Sequence, residues 1–214
     1  MKKLLAISSS PGLTHSYSRN LVQTFADNFK QKVADAEIII RDLGEQPTPH
    51  LNEATIGAFY TPVDQLSHEQ KEILALSDDL IDELESSDVI VIGAPMHNFS
   101  IPSGLKAYID HVARVGRTFH YTDSGPKGLL QGKKVFVLTT RGGNYSQMPM
   151  AALDHQEPYL RTVLGFIGLD EVEFIHSQGM AMGEEKSNQA FGDAVTDITD
   201  KISDLIIEKE PSYV

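Results

Sequence analysis

The chain predicts an α/β protein built on a doubly wound parallel sheet, and three observations carry that expectation. Five short apolar runs alternate with five stretches of helical apolar spacing from one end of the chain to the other, as strands joined by crossover helices would. A central run, Val89-Ile90-Val91-Ile92, is apolar at consecutive positions and so reads as a strand buried on both faces. The first and third runs empty into polar turns followed by helix starts, and the carboxyl ends of such strands are where an open sheet holds ligands.

The elements follow in order. A strand over 3–8 leads to a helix over about 16–33, whose stripe is Leu21, Phe25, Phe29 and Val33, and then to a strand over 36–42. A loop from about 44 to 64 contains Pro47, Pro49 and Pro62. The next helix, about 65–86, carries Ile73, Leu76, Leu80 and Leu84, and the third strand covers 88–94. The third helix is expected to start with Ser100 as N-cap and Pro102 in its first turn, to carry Leu105, Tyr108, Ile109 and Val112, and to end near Gly116. After a long loop to 133 come a strand over 134–139, a helix over about 156–167, a strand over 171–176 and a helix over about 186–208. Five strands, and a first turn without G-x-G-x-x-G, favour the flavodoxin-like order 2-1-3-4-5 over the dinucleotide fold. No linker divides the 214 residues, so one domain over 1–214 is expected.

Composition narrows the function. Eighteen Lys plus Arg against 30 Asp plus Glu give a formal charge of −12, which repels a polyphosphate backbone and argues against nucleic acid as a partner. The absence of Cys excludes disulfides, thiolate metal sites and cysteine nucleophiles. Met1-Lys2-Lys3 leads into a short strand-like run instead of a signal h-region, and no run approaches membrane-span length, so a cytoplasmic protein without a membrane partner is expected. His68-Glu69-Gln70-Lys71-Glu72 has glutamate where a zinc helix needs its second histidine, so no metal is expected. Asp110 and His111 are neighbours on a helix, point about 100° apart and cannot pair as in a triad.

Three loops carry the candidate chemistry. Ser8-Ser9-Ser10-Pro11-Gly12 through Ser16-Tyr17-Ser18 offers hydroxyls and free N–H groups at a helix start, a phosphate-type anion site or simply a helix cap. Ala94-Pro95-Met96-His97-Asn98-Phe99-Ser100-Ile101-Pro102 forms the second loop, and Thr140-Arg141-Gly142-Gly143-Asn144 the third, where paired glycines admit a flat ligand or make a tight turn. In a 2-1-3-4-5 sheet all three open on one crevice. Phe119-His120-Tyr121 either packs beneath its loop or walls an apolar substrate pocket.

The second loop with Ser103-Gly104-Leu105-Lys106, together with Gly116-Arg117-Thr118-Phe119-His120-Tyr121-Thr122, Gly125-Pro126-Lys127-Gly128-Leu129, Thr140-Arg141-Gly142-Gly143 and Leu164-Gly165-Phe166-Ile167-Gly168, closely resembles the FMN-dependent NADH:azoreductases, also described as quinone reductases. The resemblance spans essentially the whole chain. It implies a flavodoxin-like homodimer with tightly, non-covalently bound FMN, in which NADH is the hydride donor and aromatic azo compounds and quinones are the acceptors, served in ping-pong order. It implies further that Ser10, Ser16, Tyr17 and Ser18 hold the phosphate. Pro95, Met96, His97, Asn98 and Phe99 would line the isoalloxazine, and Thr140, Arg141, Gly142 and Gly143 its pyrimidine side. No residue need act as nucleophile, because the flavin carries the chemistry. Phe119, Tyr121, Asn144 and Val163 would line the substrate pocket. Asn144 stands where relatives carry a histidine and Val163 where some carry an aromatic, so substrate range is where this chain should differ. Two other classes stay open: a flavodoxin-type electron carrier, and an acyl carrier protein phosphodiesterase, a label that relatives have borne.

Overall fold

The computed structural model describes residues 2–207. Its sheet strands are β1 (Lys3–Ser8), β2 (Glu37–Asp42), β3 (Val89–Pro95), β6 (Lys134–Thr140) and β7 (Glu171–Ser177); β4 (Phe119–Thr122) and β5 (Gly125–Gly128) form a separate antiparallel hairpin. The helices are α1 (Tyr17–Lys32), α2 (Glu53–Phe59), α3 (His68–Ser86), α4 (Ser103–Val112), α5 (Gln156–Phe166) and α6 (Glu184–Ile207). The expected end of the last helix at 208 lies outside the described residues.

All pairings in the five-stranded sheet are parallel, in the order β2-β1-β3-β6-β7. Counting only those strands, this is the expected 2-1-3-4-5. The alternation along each central strand divides two cores. Leu5, Ile7, Ile90, Ile92, Val135 and Val137 pack beneath α3, α4 and α5. Leu4, Ala6, Val89, Val91, Phe136 and Leu138 pack beneath α1 and α6. Each central strand is thus covered on both sides, which is why its sequence is continuously apolar instead of alternating.

Local chemistry sets the helix starts. Ser16 caps α1 by accepting from the Arg19 amide, and Ser67 and Gln70 form a reciprocal capping box at α3. Gly93 lets α1 approach β3, since a Cβ there would lie 2.5 Å from Val22 Cγ2 and 3.0 Å from the Ser18 carbonyl.

Three sequence expectations need correction. The stretch 44–64 is not loop throughout: Asn52 accepts from the Thr55 amide at 2.9 Å and starts α2, which packs on α3. The segment before β6 holds the β4–β5 hairpin, seated against the turn after α5 where Leu129 and Leu130 amides donate to the Ile167 carbonyl at 3.1 and 3.0 Å. Ser100 does not cap α4. Its amide and carbonyl are exchanged with those of His97 at 3.0 and 2.9 Å, so the chain first makes a tight turn and the helix begins only after Pro102.

Candidate functional site

The loops after β1, β3 and β6 meet at the carboxyl edge of the sheet. Direct backbone bonds hold them side by side: Ser9 donates through both N and Oγ to the Gly93 carbonyl, at 3.2 and 2.6 Å, and the Met96 amide donates to the Thr140 carbonyl at 2.8 Å. The cofactor positions inferred from sequence are therefore gathered in one region.

The β1 loop has the features of an anion cradle. Ser10 is buried, Ser18 is 1% exposed, and the Ser16 and Ser18 hydroxyls lie 3.2 Å apart at the start of α1. The amides of Tyr17 and Ser18, in the first turn of that helix, have no partner among the described residues, as helix geometry dictates. Arg19 is not free to meet an anion. Its guanidinium pairs with Asp42 and donates to the Gly12 carbonyl at 3.1 Å and the Ser10 carbonyl at 3.1 Å, so it latches the turn from outside. What remains for a ligand is a set of hydroxyls, amides and the positive end of a helix dipole, a donor set that fits a phosphate dianion without a basic side chain.

The β3 loop is a turn with two strained residues at its tip. Asn98 and Phe99 adopt φ of 49° and 67°, the left-handed region that a side chain enters only when its surroundings impose it. The turn presents Phe99 to solvent, in edge contact with Tyr145 at 6.5 Å between ring centroids. His97 and Asn98 are exposed, while Pro95 and Met96 are half-buried.

The β6 loop is pinned from behind. Arg141 donates its amide to the Ser177 carbonyl at 2.9 Å, and the carbonyls of Arg141, Gly142 and Gly143 accept from Met180, Ala181 and Gly179 at 2.9, 3.0 and 2.9 Å. The Gly142 and Gly143 amides have no partner among the described residues, which leaves them available to a flat polar ligand. Thr140 is buried at the end of β6. Arg141, expected beside a cofactor, turns its side chain into the interior at 2% exposure, so only its loop and not its guanidinium faces the crevice. Beneath it, His176 holds Thr139 Oγ1 at 2.7 Å and Glu157 Oε2 at 3.0 Å. Burial, with Arg141 adding to it, pushes the His176 ring below its ordinary pKa and favours the neutral form.

The four expected substrate positions are dispersed. Phe119 is 7% exposed and packs on Phe166 at 4.3 Å between centroids, whereas Tyr121, at 71% exposure, meets Phe119 edge-on at 5.6 Å. Both line a cavity of about 290 Å³ whose other walls include Leu51, Ile56, Phe59 and Tyr60, separate from the cavity of about 570 Å³ lined by His97, Asn98, Ile101, Lys106 and Tyr159. Burial raises the Tyr159 phenol to a pKa of about 12, so it remains a neutral donor. Asn144 is exposed and accepts from the Ser146 amide and hydroxyl at 2.9 and 2.7 Å, an Asx turn within its own loop. Val163 is half-buried against the core under α5. His111, the ring set aside in sequence, is buried, and its Nε2 lies 3.0 Å from the Pro49 carbonyl. No group of three or more His, Cys, Asp or Glu able to hold a metal ion occurs among the described residues, nor is any described helix long and apolar enough to cross a membrane.

An open parallel sheet in this order, with a phosphate-type cradle and two backbone-rich loops at its switch point, defines a nucleotide-cofactor class of α/β protein. The family model described as flavodoxin-like fold matches residues 2–202. An FMN-dependent NADH:quinone oxidoreductase of Herminiimonas arsenicoxydans is 55% identical over 190 residues, 89% of this chain and 93% of the relative. One of Azotobacter vinelandii is 50% identical over 183 residues, 86% of this chain and 90% of the relative. Among solved structures, an azoreductase from Bacillus anthracis str. Sterne superposes with a TM-score of 0.86 at 26% identity, over 94% of this chain and 99% of that one. An FMN-dependent NADH-azoreductase from Bacillus anthracis str. Ames Ancestor, in complex with FMN, gives a TM-score of 0.86 at 25% identity, over 96% and 99%. The chain belongs to this flavodoxin-like family, the one that contains the FMN-dependent NADH:quinone oxidoreductases.

Proposed function

We propose that this protein is an FMN-dependent NADH:quinone oxidoreductase that also reduces aromatic azo compounds. The observation that carries the proposal is the pairing, along one edge of the sheet, of an uncharged anion cradle with two loops rich in available backbone donors. The 55% identity to a relative of that name supports it. When bound, FMN would supply the two-electron chemistry, so the chain itself has to bind, orient and exclude water.

The Ser10, Ser16 and Ser18 hydroxyls, with the Tyr17 and Ser18 amides, would take the phosphate; an acidic protein can hold an anion there because the field is local. The turn from Pro95 to Phe99 would lie along the ring, and the Gly142 and Gly143 amides would donate to its polar edge, where negative charge develops on reduction. Phe99 with Tyr145 would keep water from one side. Residues 44–64 and 116–133 fold into α2 and the β4–β5 hairpin around an apolar cavity, which favours a small aromatic acceptor over an electron-carrier role with a protein partner.

The acceptor site would be completed by a second copy of the chain. Tyr60, Val63 and Tyr121 are 78, 81 and 71% exposed around neighbouring cavities, a cluster of apolar side chains that a second copy could cover. In one protomer, moreover, Tyr121 and the β3 turn do not share a cavity.

Initial-rate kinetics test the order of events. One position over the ring would serve donor and acceptor in turn, so NADH and a quinone should give parallel double-reciprocal lines. Intersecting lines would mean that both must be bound at once and would contradict the shared position.

A further inference from the structure

Against the β3 and β6 loops lies the N-terminal turn of α5. From it the fully buried Gln156 side chain reaches both ways: Nε2 donates to the Ala94 carbonyl near the end of β3 at 3.0 Å, and Oε1 accepts from Arg141 Nε at 3.2 Å. A carbonyl can only accept and a guanidinium only donate, so one orientation of the amide satisfies both. The buried Arg141 guanidinium is ion-paired to Asp154 Oδ2 at 2.9 Å, with Glu157 Oε2 at 3.9 Å. The other oxygen of Asp154 accepts from the Gln156 and Glu157 amides at 2.9 and 3.2 Å, so a single carboxylate starts the helix and holds the arginine. Between them, the His155 amide donates to the Phe99 carbonyl at 3.0 Å, at the strained tip of the β3 turn.

Four consecutive residues, Asp154 to Glu157, thus tie one loop to the other through a charge buried in the interior. Burying an arginine is unfavourable unless an opposite charge is placed beside it, and here Asp154 supplies that charge while Nε donates to Gln156. We infer that Gln156 and Arg141 are positioning residues, a buried bracket that sets the spacing of the Pro95–Phe99 and Arg141–Asn144 loops before any cofactor arrives. The inference rests on the reading that these loops hold the FMN ring, although the bracket itself can be tested without it. Preformed loops save the ordering cost that a ligand would otherwise meet on binding.

Two variants separate the halves of the bracket. Gln156→Leu keeps the volume and removes both bonds, whereas Gln156→Glu keeps the acceptor for Arg141 and sets a carboxylate oxygen against the Ala94 carbonyl. Amide hydrogen exchange on the full-length protein, with and without FMN, reads the loops directly. In Gln156→Leu the hydrogen-bonded amides of Met96 and His97, and those of Arg141, Gly179, Met180 and Ala181 that tie down the β6 loop, should exchange faster by about tenfold or more, with β1 and α1 unchanged. In Gln156→Glu only Met96 and His97 should respond. Titrations of Gln156→Leu with FMN and with riboflavin should weaken by the same factor, about tenfold, because the loops meet the ring of either ligand while the serine cradle meets only the phosphate. Unchanged loop exchange, or faster exchange spread evenly over the fold with flavin affinities intact, would make Gln156 an ordinary interior staple and overturn the bracket. Failure of the unaltered protein to bind either flavin would overturn the FMN reading instead, and the exchange comparison would still decide the bracket.

Discussion

Ser18→Asp is expected to weaken FMN binding by at least about a hundredfold while the protein stays folded. The Ser18 hydroxyl lies 3.2 Å from that of Ser16 at the start of α1, where the proposed phosphate would sit. Two like charges about 4 Å apart repel by about 4 kcal/mol at an effective dielectric of about 20, and even half of that, with the lost hydroxyl donor, approaches two orders of magnitude. The fold should tolerate the change because an acidic side chain in the first turn of a helix is favoured by the dipole. Fluorescence titration distinguishes phosphate from ring: riboflavin, which lacks the phosphate, should bind Ser18→Asp about as well as it binds the unaltered protein. Retention of FMN by a folded Ser18→Asp protein would refute the cradle.

Phe119→Ala and Tyr121→Ala should part in the opposite sense to their adjacency on β4. Phe119 is buried against Phe166, so its truncation should cost about 3 kcal/mol or more and lower Tm by roughly 6–12 °C in a chain of this size, with any loss of activity the same for every acceptor. Tyr121 is exposed at the mouth of the apolar cavity. Its truncation should leave Tm nearly unchanged and lower kcat/KM for bulky azo dyes by about tenfold, with small quinones less affected, since stacking on such a wall is worth about 1 kcal/mol beyond contact. Thermal melts and steady-state kinetics on a dye and a small quinone decide it. Equal kinetic losses in both variants, across all acceptors, would remove the pocket role from Tyr121.

The strands and their order were legible in the sequence because each central strand is covered on both faces and so carries at least four consecutive apolar residues. The serine turn was legible for a similar reason: hydroxyls and a helix start are local features, and their geometry is fixed within a dozen residues. Where the expectations slipped, a local signal was outweighed or a contact was distant. Pro47, Pro49 and Pro62 read as loop and masked the short helix that Asn52 starts between them. Gly125, Pro126 and Gly128 read as turn, yet they form a strand because Gly128 must lie against Gly168, where a Cβ would come within 2.1 Å of the backbone. Ser100 offered a capping side chain, but the positive φ of Asn98 and Phe99 drew its backbone into the preceding turn. Arg141 looked like a cofactor contact because it shares its loop with the paired glycines; that its side chain points inward depends on Gln156 and Asp154, which only the fold brings beside it. Tyr145 was passed over for the same reason, its contact with Phe99 joining two loops some 45 residues apart. The substrate positions were the least legible, since an acceptor wall is made of surface residues whose partners the chain alone does not specify.

A crevice at the head of the sheet that holds FMN and passes the reducing power of NADH to a quinone should declare itself in the flavin's colour. The most direct measurement is anaerobic absorbance spectroscopy on the purified protein, first with NADH alone and then with a quinone, followed by denaturation and identification of the released chromophore. The expected result is a yellow protein with close to one FMN released per chain, whose flavin absorbance bleaches with NADH before any acceptor is present and returns on addition of the quinone. A protein that, even after incubation with FMN, retains none, or whose bound FMN keeps its absorbance under excess NADH, would contradict it.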